Sequence, residues 1–342
     1  MTTIFAIETS CDESAAAIVR GRTVVASIIA SQIDVHRLTG GVVPEVASRE
    51  HLQALGGVIA ACFAEGGLGW ADIDAVAFTC APGLVGSLLM GSMAAKTLAL
   101  VHARPLVGIH HLEGHIYSAF LSDPALEPPF LCLLVSGGHT SLVAVEDHGR
   151  YRILGRTRDD AVGEAYDKVA RVLGLGYPGG PAIDKLAQRG DPRAFALPGG
   201  RVESPFDTSF SGLKTAVLRL AEKHRLQRLP IDRADLAASF QRTVVETLAE
   251  RVELALAHTG YDTVVVAGGV SANRGLRERL GQAGPYRAVF PPMHFCTDNA
   301  AMIACAGVAR FERGFRSSLD LPVQSRLSLE ACDSLYQCLP VP

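Results

Sequence analysis

The sequence predicts a duplicated α/β protein of two lobes, and three observations lead there. At 342 residues with 48% apolar composition, the chain can bury a large core and has the length of two domains. Apolar, β-branched runs alternate with stretches of helical spacing along nearly all of it. The order of these segments, three strands followed by helix, strand, helix, strand and helix, occurs twice in succession. Each triplet of strands would begin a new sheet covered by its own helices, which one continuous sheet does not explain.

In the first copy, strands are predicted near 3–9, 14–20, 23–30, 75–79 and 106–109, with helices near 44–64 and 84–102 and another opening at His111. The second copy has strands near 130–135, 140–146, 151–154, 263–267 and 287–290. Its helices fall near 161–173, 212–225, 236–258, 272–282 and from Asp298 to about Arg313. The proline-rich segment Asp123–Pro129 marks the boundary. The expected division is an N-terminal lobe of 1–126, a C-terminal lobe of 127–298, a closing helix near 299–315 free to pack back on the first lobe, and an irregular tail, 316–342. Ligands are expected where strand-to-helix turns of the two lobes face each other.

A net charge of −3 excludes a globally basic nucleic-acid binder, so contact with a polyanion needs a local patch or a helper protein. Two such patches are Arg150, Arg152, Arg156 and Arg158, and the run Lys214–Arg233 with six Lys/Arg against two acids; each also reads as a solvated charged face. Eight cysteines without a C-x-x-C pair argue against zinc ribbons and dithiol redox motifs, and read as reduced cytosolic thiols. The chain starts directly on a strand, without a charged leader or cleavage site. Its longest apolar stretch, Leu84–Ile109, is interrupted by Lys96, His102, Arg104 and Pro105. The expectation is an unprocessed cytoplasmic protein without a membrane anchor.

The sharpest chemical signal is His111-Leu-Glu-Gly-His115, directly after a predicted strand. Imidazoles four residues apart lie about 40° apart on a helix face and can share one metal ion, or form an incidental surface pair. Glu113 lies two residues from each histidine, about 200° round the helix, so it cannot serve as the general base of a metallopeptidase. A third ligand is available at Asp298, which also reads as an ordinary N-cap for the closing helix.

Glycine-rich turns supply an anion cradle. Leu134-Val-Ser-Gly-Gly-His139 runs from a strand through a Gly-Gly turn where backbone N–H groups can approach an anion without Cβ obstruction; a plain hairpin is the alternative. In Val266-Ala-Gly-Gly-Val-Ser-Ala-Asn273 a strand ends in two glycines and a helix opens at Ser271 to Asn273, which suits a nucleotide or is simply a capped joint. Tyr177-Pro-Gly-Gly-Pro-Ala-Ile-Asp184 is a third such turn, with Asp184 able to reach a ribose or an amine. Glu8-Thr-Ser-Cys-Asp-Glu-Ser14 is either a solvated hairpin or a phosphate loop. No Walker P-loop is present. The helix after Leu84 is apolar nearly all round, with Gly86, Ser87, Gly91, Ser92, Ala94 and Ala95 allowing close approach; it is either a core helix or an interface.

Together these segments resemble the TsaD family, which is itself similar in fold to actin and the sugar kinases. The likeness runs from about Ile4 to Arg313. Further markers are Ile7-Glu-Thr-Ser-Cys-Asp-Glu13, Gly40-Gly-Val-Val-Pro-Glu-Val-Ala-Ser-Arg49, Pro82-Gly-Leu-Val-Gly86, His110-His-Leu-Glu-Gly-His115, Gly163-Glu-Ala-Tyr-Asp-Lys168, Ser209-Phe-Ser-Gly-Leu-Lys-Thr215 and Cys296-Thr-Asp-Asn299. The resemblance implies transfer of a threonylcarbamoyl group from L-threonylcarbamoyl-AMP to N6 of the adenosine beside the anticodon, in tRNAs reading codons that begin with adenine. It implies one divalent metal ion, iron before zinc, held by His111, His115 and Asp298. Leu134, Val135, Ser136, Gly137 and Gly138 would bind the acyl-adenylate, and Asp167, Gly180, Asp184 and Asn273 its nucleoside and threonyl parts. Glu13 or His139 is available to relay the proton leaving the adenine amino group. Implied partners are the TsaB paralogue, the ATPase TsaE and the adenylate-making synthase TsaC, with TsaB on the helices after Pro44 and Leu84. The competing readings are a zinc peptidase, which lacks a carboxylate facing the metal, and an actin-like ATP-binding module, which would be indifferent to His111.

Overall fold

A strand buried at every position must be covered on both faces, and β1 (Thr3–Glu8) is such a strand. The computed structural model describes residues 1–338 other than Arg201 and Ala283, without the side chains of Gln337 and Cys338. The chain divides into two compact units, one of Met1–Pro128, Asp147–Tyr151 and the segment from Pro291 onward, the other of Pro129–Glu146 and Arg152–Phe290.

In the first unit β1 lies at the centre of a five-stranded sheet with β2 (Glu13–Arg20), β3 (Thr23–Ser31), β4 (Ala75–Ala81) and β5 (Leu106–His110), in the order β3-β2-β1-β4-β5. β1 and β2 are antiparallel, as are β2 and β3, whereas β1, β4 and β5 run parallel. Alternation along β1 sorts its side chains: Phe5 and Ile7 pack with Leu55, Val58 and Cys62 of α2 (Pro44–Gly66) and Ala95 and Ala99 of α3 (Val85–Val101). Ile4 faces the other way, toward Gly307 of the last long helix, α10 (Ala300–Glu312). Two short helices complete this part: α1 (Ile33–Thr39), too short to have a periodic signature, and α4 (His111–Tyr117).

The second unit repeats the plan. β6 (Phe130–Val135), β7 (Thr140–Asp147), β8 (Arg150–Arg156), β9 (Thr263–Ala267) and β10 (Arg287–Val289) form a sheet ordered β10-β9-β6-β7-β8. β6 pairs antiparallel with β7 and parallel with β9, as β1 does with β2 and β4. Its helices are α5 (Val162–Val172), α6 (Gly179–Ala187), α7 (Ser211–Gln227), α8 (Arg233–Thr259) and α9 (Arg274–Gly281). α5 buries Val162, Ala165, Tyr166, Val169 and Ala170, the one-sided spacing of an amphipathic helix. α8 is capped by Asp232, whose carboxylate accepts the N–H groups of Ala234 and Asp235, three residues ahead of the expected start.

Two expectations change. The closing segment belongs to the first unit from Pro291 onward, so Asp298, expected at the end of the C-terminal lobe, stands in the first unit, because α10 packs across β1, β2 and β4 and against α4. The tail is not irregular throughout: Ser317 bridges to Leu106, and Gln324 N–H donates to the carbonyl of Cys80 at 2.9 Å. Of the two readings of α3, the core reading holds for its small residues, since Ser87, Gly91, Ser92 and Ala95 are turned inward. Seven cysteines are free and the eighth, Cys338, lies outside the described side chains. No described helix is long and apolar enough to cross a membrane.

α4 and α10 are joined by a buried ion pair: Glu113 Oε1 accepts from Arg310 at 2.7 Å, while the guanidinium also reaches Asp333 at 2.7 Å and lies over the Tyr336 ring. Breaking such a pair strands a charge. Arg310→Met should therefore cost about 3–5 kcal/mol in chemical denaturation, and Glu113→Leu combined with it should recover most of the loss.

Candidate metal centre and nucleotide-binding turns

β5 ends at His110, whose Nδ1 accepts the N–H of Leu112 and so caps the start of α4. The two histidines expected to act together, His111 and His115, are the first and fifth residues of this helix. Their rings stand 4.7 Å apart at an interplanar angle of 79°. Gly114 lies between them on the side facing α10, where a Cβ would come within 2.6 Å of Ile303 and 3.3 Å of Met302. That close approach brings the entry to α10 beside the imidazoles, and Asp298 Oδ1 lies 3.2 Å from Nε2 of His115 and 3.6 Å from Nε2 of His111. The three ligand atoms lie within 4.8 Å of one another.

Asp298 reaches this position because it does not cap the helix. Asn299 is the cap, its side chain accepting the N–H of Met302 at 2.9 Å. The reading of Asp298 as an ordinary N-cap is thereby corrected by one residue.

The donor set fits a divalent cation. Both ring nitrogens of His115 are buried without a hydrogen-bond partner, and Nε2 is misaligned for a hydrogen bond with Asp298 despite its closeness. His111 is prepared differently. Its Nδ1 lies 3.1 Å from Glu8 Oε2 and 3.1 Å from Ser10 Oγ, and Glu8 is held by Thr79 Oγ1 at 2.6 Å and Ser10 N at 2.5 Å. A proton on Nδ1, donated to Glu8, leaves the Nε2 lone pair free to face Asp298, the usual relay behind a metal-ligating histidine. Burial works against a charge on His111, but Asp298 and Glu8 outweigh it and raise its pKa to about 9, the mark of a pocket that favours positive charge. Glu8 was legible only as part of a polar segment; an acid closing a fully buried strand was the missed signal.

Glu113 points away from this group into its pairing with Arg310 and Tyr151, as the helical spacing requires. Glu113 is therefore not the base that the peptidase reading requires. Glu13, at the start of β2, accepts from Ser31 at 2.8 Å through Oε1, while its Oε2 is buried without a partner. Burial, with Asp12 and Asp298 nearby, raises it to about 7 despite the Ser31 hydrogen bond.

In the second unit Leu134 and Val135 are interior residues of β6, so only their backbone can meet a ligand. Past them, Gly137 and Gly138 are exposed, and a Cβ on either would meet nothing. Ser136 and His139 close this turn: Ser136 N donates to the His139 carbonyl at 2.8 Å, and His139 N donates to Ser136 Oγ at 3.1 Å. Gly163 of α5 lies against the turn, where a Cβ would be 2.6 Å from the Ser136 carbonyl. Asp167 accepts the N–H of Gly179 at 2.7 Å at the start of α6, next to Gly180, which is open. Asn273 caps α9, so that helix opens at Arg274 rather than at Ser271. Its amide donates to Asp184 at 3.2 Å and to Gln241 at 2.9 Å. Gln241, which the sequence did not single out, also hydrogen-bonds Asp184, with the backbone N–H groups of Arg274 and Gly275; burial nonetheless raises the pKa of Asp184. Four residues of the expected basic patches are engaged in ion pairs: Arg152 with Glu146, Arg158 with Asp207, Lys214 with Asp160 and Arg225 with Glu222.

Two five-stranded sheets of one order, each pairing its first strand antiparallel with its second and parallel with its fourth, define an actin- and sugar-kinase-like α/β protein. Solved structures share this fold: HypF of T. kodakarensis aligns over 92% of this chain and 48% of its own with a TM-score of 0.64 at 12% identity. Component A of (R)-2-hydroxyglutaryl-CoA dehydratase from Acidaminococcus fermentans aligns over 90% and 98% with a TM-score of 0.52 at 15% identity. Residues 23–305 match the TsaD family, described as tRNA N6-adenosine threonylcarbamoyltransferase. Proteins of that name are 59% identical in Nostoc sp. over 98% of this chain and all of theirs, and 57% identical in Thermosynechococcus vestitus over 100% and 99%. The chain belongs to the TsaD family and is an enzyme of that type.

The capping assignment has a direct check by chemical denaturation. Asn299→Ala should cost about 1 kcal/mol, the usual loss for a removed N-cap, while Asp298→Ala should leave the cap contribution intact.

Proposed function

We propose that this enzyme transfers the threonylcarbamoyl group of L-threonylcarbamoyl-AMP to N6 of the adenosine beside the anticodon, in tRNAs reading codons that begin with adenine. One observation carries the reading: a chain of the TsaD family places His111, His115 and Asp298 within 4.8 Å of one another. These three would hold one divalent ion, iron in this reading, since two imidazoles and a carboxylate suit Fe(II) as well as zinc. When bound, the ion supplies charge stabilisation to the phosphate of the leaving AMP.

The remaining work falls to the chain itself. The backbone N–H groups of Gly137 and Gly138 take an anion where no Cβ intervenes. Asp184, oriented by Asn273 and Gln241, takes a ribose hydroxyl, and Asp167 and Gly180 line the rest of the ligand. The adenine nitrogen attacks the carbamoyl carbon, the bond to the phosphate oxygen breaks, and one proton leaves the amino group. Glu13, with its raised pKa and unpartnered Oε2, or His139 receives that proton. Orientation contributes more than basicity, because the amine is a weak nucleophile. The reaction belongs in the cytoplasm, with threonylcarbamoyl-AMP supplied by a TsaC-type synthase and TsaE acting as the associated ATPase.

The TsaB paralogue would dock on the outer side of α3, where Val85, Leu89, Met93 and Leu100 are 42–67% exposed, beside Leu52 of α2 at 73%. Ala94 of the same helix does not belong to this surface, because it packs partly into the core.

Two measurements test this reading. Protein, partners, tRNA transcript and threonylcarbamoyl-AMP should yield the modified nucleoside by mass spectrometry. His111→Ala or Asp298→Ala should slow single-turnover transfer on the order of 100-fold or more and release the metal seen by elemental analysis. Retained metal with full activity would overturn the ligand set, and unchanged transfer in both Glu13→Ala and His139→Ala would remove the proton relay. Separately, Met93→Glu should weaken TsaB binding by at least about 30-fold in calorimetry, as expected for a charge placed in an apolar interface.

A further inference from the structure

His110 belongs neither to the cation ligands nor to the nucleotide turns, yet it is fully buried where β5 passes into α4. Its Nδ1 accepts the N–H of Leu112 at 3.2 Å, which makes an imidazole do the work usually done by Ser, Thr, Asp or Asn. A ring that accepts at Nδ1 carries its proton on Nε2. Nε2 therefore donates to the carbonyl of Leu327, 3.1 Å away and 217 positions later in the chain.

Leu327 lies in a strap that clamps the edge of the first sheet. Ser317 Oγ accepts the N–H of Gly108 at 2.9 Å, and the Leu321 carbonyl accepts from Lys96 Nζ at 2.7 Å. Leu321 also fills the space above Gly108, where a Cβ would come within 2.5 Å of it. Farther on, Tyr336 donates to Glu113 at 3.4 Å. The strap thus grips α4 at two places, the cap before its first residue and the carboxylate in its middle.

We propose that His110, clamped by the Leu327 carbonyl, is a positioning residue for the cation site, fixing the rotation at which His111 and His115 present Nε2 to Asp298. The inference rests on the reading of those three residues as ligands. α4 has only seven residues, about two turns, and so little stability of its own. Each residue turns a helix by about 100°, so a slip at the cap would move both imidazoles off Asp298 together. Groups behind metal ligands typically change affinity about 10–100-fold when removed.

The test titrates the full-length apo-protein with Co2+, reading affinity by calorimetry and ligand geometry by the visible absorption bands. Two variants divide the roles: His110→Phe keeps the ring volume and loses both hydrogen bonds, whereas His110→Asn keeps a capping oxygen and loses the reach to Leu327. Wild-type protein is expected to bind one Co2+ in a site abolished by His111→Ala. His110→Phe should weaken Co2+ about 10–100-fold and alter the bands, with His110→Asn intermediate. A variant whose thermal midpoint falls while Co2+ affinity and bands stay those of wild type would show a merely structural role and overturn the inference. Should His110→Phe not fold, by circular dichroism, His110→Asn decides on the same terms. Wild-type protein that binds no Co2+, or binds it equally after His111→Ala, overturns the ligand reading and this inference with it.

Discussion

Gly114 has no side chain where α4 meets α10, and Ile303 and Met302 occupy the space that one would fill. Everything at the cation site depends on that contact, because His111 and His115 come from one helix and Asp298 from the approach to the other. The Glu113–Arg310 pair holds the same two helices together. Burying two charges costs desolvation energy that their attraction alone does not reliably offset. Its geometry is supported by hydrogen bonds from Tyr151 and Tyr336 and by the aromatic ring over which the guanidinium lies, so the pair specifies one arrangement of the helices. The cation ligands are thus held by contacts of the two helices that carry them.

The electrostatics of the first unit follow from the same arrangement. Burial works against the carboxylate charges of Glu8, Asp12 and Glu13; Asp298 and Glu8 raise the pKa of His111, and burial, with Asp12 and Asp298, raises that of Glu13. A pocket of this kind holds a proton or a metal ion in preference to remaining empty of positive charge. The placement of Glu113 matters equally. A carboxylate two residues from each histidine is removed from the metal by helical geometry, so two histidines flanking a glutamate need not signal peptide hydrolysis.

Recognition in the second unit relies more on backbone than on side chains. Leu134 and Val135 are sealed in β6, and the accessible groups are the N–H donors of a turn with two bare glycines. The polar side chains nearby are coupled to one another: Asn273, Asp184 and Gln241 share hydrogen bonds while Asn273 also caps α9. Such a fully bonded group holds its geometry without the ligand, which lowers the ordering cost of binding.

The sequence by itself determined the duplicated order of elements, most strand positions to within a residue or two, the pairing of His111 with His115 and the availability of Asp298. Those features have local causes: a fully apolar strand bounded by turn residues, and a fixed rotation per helical residue. Short or non-periodic segments escaped it: α1, α6, whose first residues read as a glycine-rich turn, the strap from Ser317 to Tyr336 and the start of α8 three residues early. Only the tertiary structure decided that Asn299, not its neighbour, caps α10, and that Glu8 stands behind His111 from 103 positions away. Gln241 joining Asp184 and Asn273 is of the same kind. The physical reason is common to these cases. A hydrogen-bond partner distant in the chain leaves no periodic trace, and which of two adjacent polar residues turns toward a site is settled by the packing of the helices that carry them.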